Sequence, residues 1–194
     1  MDKVRIRRER MAKPYCDMWK MAERLAARAK EKSIGWHWDC LAALVFAAFT
    51  VEGYLNHIGH VKCQDWDDLD RLPPLAKLRF LCRLLSIEYR PGDPAFQTVG
   101  QLFKFRNSVA HPHSEPVIRE DVVSKDLYEK KLYDRPETDW ERFVTMETLD
   151  RVLCDVPNLL CKLHDATRLR ERMDFLFQEG GWSGCAGPAN EPQA

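Results

Sequence analysis

Apolar residues recur along this chain at helical spacing, and the pattern breaks in only a few places. Tyr15, Met18, Ala22, Leu25, Ala26 and Ala29 form one stripe of a 3.6-residue period, which predicts an amphipathic helix over residues 15–32. Ser33, Ile34 and Gly35 end it. Residues 39–58 are the most apolar part of the chain. Leu41, Leu44, Val45, Phe46, Ala48, Phe49, Val51 and Leu55 leave almost no polar face, so this helix should be central and buried. An acidic, turn-like stretch follows at 64–72. Pro73 and Pro74 then open another helix, since proline is tolerated in a first turn. Its stripe is Leu75, Leu78, Leu81, Cys82 and Leu85, with Lys77, Arg79 and Arg83 assigned to the outer face.

Residues 95–110 form a helix with two apolar rows. Phe96, Val99, Phe103 and Ala110 make one; Leu102, Phe105 and Val109 make the other. Two rows predict burial on two sides, one in the bundle and one against a second subunit. Phe103 and Phe105 read as core side chains rather than as a base-stacking platform. The pattern then breaks over residues 112–139, which Pro112, Pro116 and Pro136 punctuate and which hold more acids than bases. A lid, a specificity element or an inert insertion all fit such a loop. Thr145 is placed to cap a long helix to about residue 167, kinked at Pro157. A short helix over 169–177 and a Gly-, Pro- and Ala-rich disordered tail over 180–194 complete the chain. The expected architecture is all-α, an up-and-down bundle of five or six helices. A basic arm over residues 1–13 precedes a single helical domain over 14–179, which carries the polar insertion at about 112–139.

Composition changes this picture little. The chain has 194 residues, enough for one domain with a proper core and short for two. Thirty Lys and Arg balance thirty Asp and Glu, so any basic surface that binds nucleic acid must be local. Arg5, Arg7, Arg8 and Arg10 make such a local concentration, read first as a solvated terminus and second as a strip that tracks phosphates. No apolar run is read as a membrane span, and no apolar stretch follows the N-terminal arginines as a secretory signal requires. Seven cysteines, several inside apolar helical patterns, read as reduced thiols of a cytoplasmic protein.

The chemistry gathers around residues 103–112. Pro112 disfavours helical geometry in the residue before it, so the helix should end at or just before His111. An imidazole at a helix C-terminus sits where the dipole attracts a cation. Asn107 lies four residues earlier, within reach of the ring, and Arg106 is next to it. A permanently charged, forked donor beside a titratable imidazole suits a phosphate. Glu52 falls on the apolar row of Leu41, Val45, Ala48 and Leu55, with Asn56 one turn on. A carboxylate there is costly unless paired. Its partner is either a lysine or arginine that fixes helix packing, or Arg106 itself. His57, His60 and Cys63, and separately Cys154, Cys161 and His164, have spacings that invite a zinc reading. The first set has no evident fourth ligand and the second reads as buried thiols beside a chance histidine, so no metal and no cofactor is expected.

Arg106-Asn107-Ser108-Val109-Ala110-His111 resembles the arginine-to-histidine motif of HEPN domains. Val51-Glu52-Gly53-Tyr54-Leu55-Asn56-His57, on the apolar helix, resembles the second conserved helix of several HEPN branches. The resemblance spans residues 36–112. It implies a helical bundle, usually a homodimer that brings two motifs together, and a metal-independent endoribonuclease that uses the 2′-hydroxyl of RNA. His111 would then move the proton, Arg106 and its copy would stabilise charge on phosphorus, and Asn107 would orient the imidazole or touch the phosphate. Glu52 and Asn56 would support Arg106. The resemblance further implies a toxin or defence role with an antitoxin or other protein partner. The alternative is a non-catalytic HEPN-like bundle that binds a partner protein, nucleotide or RNA. The plainest reading is that Arg106, Asn107 and His111 only cap and brace helix ends.

Overall fold

In this computed structural model the described residues are 4–31, 34–114, 116–131, 133–169 and 182–188. They are mostly helical. α1 (Pro14–Glu31) and α2 (Trp36–Lys62) form an antiparallel hairpin. A single turn, α3 (Trp66–Leu69), leads to α4 (Pro74–Leu84) and α5 (Pro94–Ala110). Two short helices, α6 (Lys125–Lys131) and α7 (Asp139–Phe143), precede the long α8 (Met146–Thr167).

The apolar stripes decide the packing. Ala22, Ala26 and Ala29 give α1 a small-residue face that lets it lie close along α2. α2 has no polar face, and it is the helix that α1, α4, α5 and α8 all contact. By length and composition α2 is apolar enough to cross a membrane, against the expectation from sequence. That expectation looked for an unbroken run, whereas the mean hydropathy of α2 stays high across Thr50, Glu52 and Gly53. α8 buries Leu149, Val152, Val156, Leu159, Leu160 and Leu163, and continues through Pro157. Its first turn is capped by Thr145, whose hydroxyl accepts from the Thr148 amide at 3.1 Å. Trp19, Tyr54, Trp66, Phe96 and Phe103 are the largest wholly buried side chains. Gly59 is where α3 comes nearest: a Cβ there would lie 2.1 Å from the Trp66 ring.

Two expectations need correcting. Both apolar rows of α5 are used within this one chain. Phe96, Val99, Leu102, Phe103 and Phe105 are all buried, and Phe105 stacks on Phe143 of α7 at 5.0 Å between centroids. The second row therefore meets α7 and α8 rather than a second subunit. Residues 182–188, expected as part of a disordered tail, form β2 (Trp182–Pro188) and pair with β1 (Val4–Arg10), whose residues are all exposed as a solvated arm would be. The ribbon is antiparallel, with Val4 opposite Pro188 and Arg10 opposite Trp182. Inside 112–139, where the sequence leaves a short hairpin or a helix open, the described residues hold α6 and the start of α7. A capping box, with the Thr138 amide donating to Glu141 Oε2 at 2.8 Å, fixes the start of α7. The short helix expected over 169–177 lies almost wholly outside the described residues.

Candidate functional site

α5 and α2 together position the residues singled out from sequence. Arg106 is on the inner side of α5, facing α2, and its Nη2 donates to Glu52 Oε2. Its guanidinium lies 6.0 Å from the ring centroids of both Phe49 and Phe103. These two rings shield the ion pair and favour a cation over their faces. Only 14% of the Arg106 side chain is exposed, against 27% for Glu52. The Arg106 Nε–H is buried with no hydrogen-bond partner among the described residues.

A fourth residue completes this cluster. Lys77 of α4, assigned to the outer face by its charge, is 3% exposed and points into the bundle. Its ammonium donates to Asn56 Oδ1 at 2.9 Å and lies 3.9 Å from Glu52 Oε1. The two readings of Glu52 thus both apply: it meets Arg106 and a packing lysine at once. One carboxylate is set between two cations, so the cluster keeps an excess of one positive charge in a largely desolvated place. The sequence did carry a signal for Lys77. It lies next to the apolar stripe, four residues before Leu81, and a carboxylate on the apolar row of α2 needs a cation from a neighbouring helix.

His111 is apart from this cluster. It is the residue after α5, with φ −124° and ψ 57°, and is exposed. Its amide donates to the Asn107 carbonyl at 3.0 Å, closing the last turn. Asn107 is also exposed, and among the described residues its side-chain amide makes no hydrogen bond to the imidazole. Ser108 turns its hydroxyl back on the Phe105 carbonyl at 2.7 Å. The helix end thus offers the imidazole and the Asn107 amide to solvent, while Arg106 is held inside. Arg106, Glu52 and Asn56 are brought together; Asn107 and His111 are not joined to them.

The spacings that invited zinc resolve differently. His57 packs against Tyr15 and Tyr54, and His60 Nδ1 lies 3.5 Å from Asp67. His164 Nδ1 shares a 2.9 Å hydrogen bond with the Tyr54 hydroxyl in the core. Among the described residues no three His, Cys, Asp or Glu side chains converge as metal ligands would. No family model, curated protein or solved structure matches this chain.

Proposed function

We propose that this protein is a metal-independent endoribonuclease of HEPN type, acting as a homodimer in the cytoplasm. In the reaction the 2′-hydroxyl of RNA attacks the adjacent phosphorus while His111 takes its proton. The bond to the 5′-oxygen of the next nucleotide breaks, and that oxygen takes a proton from water, while the proton held by His111 passes to solvent. The products are a 2′,3′-cyclic phosphate and a 5′-hydroxyl. Arg106 stabilises the added negative charge on phosphorus. Glu52 holds that arginine, Asn56 and Lys77 flank the carboxylate, and Asn107 contacts the phosphate beside His111. A toxin or defence setting with an antitoxin partner follows from the same resemblance. What carries the reading is charge. The cluster of Lys77, Arg106 and Glu52 holds one positive charge more than it neutralises, which a phosphodiester would balance.

The test is cleavage of single-stranded RNA with EDTA present, by the parent, Arg106→Ala and His111→Ala. Cleavage by the parent alone, leaving cyclic phosphate ends, is expected. His111 is exposed, so its loss should leave the melting temperature unchanged. Cleavage that survives in His111→Ala refutes the mechanism. The second reading, a non-catalytic HEPN-like bundle that binds a partner, is favoured by the burial of Arg106 against α2. No cleavage by any of the three folded proteins would select it.

A further inference from the structure

A cleft of about 610 Å3 opens between α1, α2 and the segment that joins β1 to α1. That is a volume small organic ligands fill. Its walls include Met11, Met18 and Phe49. α1 approaches closely because residue 53 is glycine: a Cβ there would lie 3.2 Å from the Tyr15 Cβ. Phe49 is 36% exposed, a large ring with part of its surface open.

The polar lining includes Glu52, Asn56, His57 and His60, and of these Glu52 and Asn56 lie one turn apart on α2. These are the same two residues that hold Arg106 and Lys77. Lys77 occupies the Asn56 carbonyl oxygen, so the amide has its NH2 left to donate. Glu52 retains acceptor capacity on Oε1. One donor and one acceptor therefore stand side by side next to an aromatic ring. The edge of a nucleobase is read by such a pair, and its face stacks on such a ring. The surroundings suit the rest of a nucleotide. Behind Glu52 lies the excess positive charge of the cluster. On the chain leading to the cleft, β1 carries exposed Arg5, Arg7, Arg8 and Arg10, which only Glu9 within the strand opposes. A hydrophobic peptide would need neither the donor and acceptor pair nor the basic strand.

We propose that this cleft takes one unpaired nucleobase of a single-stranded RNA. Phe49 stacks on its face, Glu52 and Asn56 meet its edge, and the arginines of β1 follow the phosphates. This rests on the ribonuclease reading only for the identity of the polymer.

The experiment uses His111→Ala, so that RNA is not consumed, with a fluorescein-labelled single-stranded RNA of mixed sequence and its duplex. Binding is measured by fluorescence anisotropy before and after adding Phe49→Leu, which removes the ring, or Met18→Trp, which fills the cleft. Each change is expected to weaken single-strand binding about tenfold and leave duplex binding unaffected. In His111→Ala alone, ultraviolet crosslinking of a 4-thiouridine RNA should mark peptides of α1 and α2. Absence of RNA binding, equal binding by all three proteins, or crosslinks confined to other elements would overturn the proposal. RNA binding untouched by a filled cleft is also the outcome expected of a peptide site. The two readings fail separately. A parent that cleaves RNA, with binding indifferent to Phe49 and Met18, removes the base subsite and keeps the ribonuclease. Binding through the cleft without cleavage does the reverse.

Discussion

Removing the carboxylate of Glu52 strands two cations, and this makes the charge cluster measurable without any assay of activity. Glu52 Oε1 and Lys77 Nζ are 3.9 Å apart. At that distance their attraction is ~4 kcal/mol at an effective dielectric of 20 and ~1 kcal/mol in bulk water. Lys77 is 3% exposed and Glu52 27%, so the pair sits between those limits. Glu52→Gln should therefore cost about 2–3 kcal/mol, less than loss of a fully buried partner because solvent reaches the carboxylate. Lys77→Met keeps the apolar stem and removes the charge, but leaves Asn56 Oδ1 without its donor, for about 1–2 kcal/mol. In the double variant the second change should cost almost nothing or stabilise, because no uncompensated lysine is left beside Arg106. The expected coupling is about 1–3 kcal/mol, read from urea denaturation of the four proteins. The same quantity appears in melting temperature at about 2–4 °C per kcal/mol. Effects that add to within ~0.5 kcal/mol would refute the idea that one carboxylate serves both cations.

Two helical glycines should respond to alanine with opposite signs. Gly59→Ala drives a methyl into Trp66 and should lower stability by about 1–3 kcal/mol, whereas Gly100→Ala meets nothing within 4 Å and should raise it by up to about 1 kcal/mol, both by urea midpoint. Burial, with Asp150 adding to it, pushes the Cys40 thiol up from 9.0 to about 11; burial pushes Cys82 up to about 11 against the opposing pull of Lys162. These raised values mean stability that is full below pH 9 and lost as pH rises through 11, so the urea midpoint should fall across that window and fall less in a Cys40→Ala, Cys82→Ala variant. Iodoacetamide at about pH 8 should label exposed Cys154 before either buried thiol. If the proposed site draws Arg106 from one chain and His111 from the other, an equal mixture of Arg106→Ala and His111→Ala should regain about one quarter of parental cleavage, since half the dimers carry one intact site. Two inactive proteins that stay inactive when mixed would assign both groups to one chain.

Much of the bundle was legible because helical periodicity depends only on local spacing. The stripes of α1, α4, α5 and α8 and the proline and glycine stops mark their elements without knowledge of neighbours. What sequence could not place depended on partners distant in the chain. β1 alternates apolar and basic residues only over Val4–Arg7, too short a run to announce a strand, and its pairing with β2 joins the two ends of the described chain. Lys77 was assigned by its charge to the solvent side, and only the position of Glu52 on another helix makes its burial tolerable. The second apolar row of α5 was legible as apolar but not as already covered, because α7 arises inside a stretch with no clear pattern. Glu52 was the informative residue: a charge on an apolar row requires a partner, and the structure supplies two.

The separation of Arg106 from His111 follows from helix geometry. Five residues turn an α-helix through about 500°, which leaves the two side chains about 140° apart in projection. Arg106 uses its direction to reach α2, and His111 leaves the helix with φ −124° and ψ 57°, exposed to solvent. The helix alone therefore does not bring a phosphate at the imidazole of one chain to the guanidinium of the same chain. Glu52 deepens that separation, because its ion pair ties Arg106 to α2 and restricts its swing toward the helix end. For the proposed reaction the immobilised arginine is an advantage only if the substrate is brought to it. The base cleft bordering Glu52 and Asn56 would do this, fixing a nucleotide beside the cluster while an imidazole from a second copy approaches the adjoining phosphate. The burial of Arg106 is what calls for an imidazole from a second copy, and the cleft is one way to bring substrate to the buried arginine, which the ribonuclease does not require.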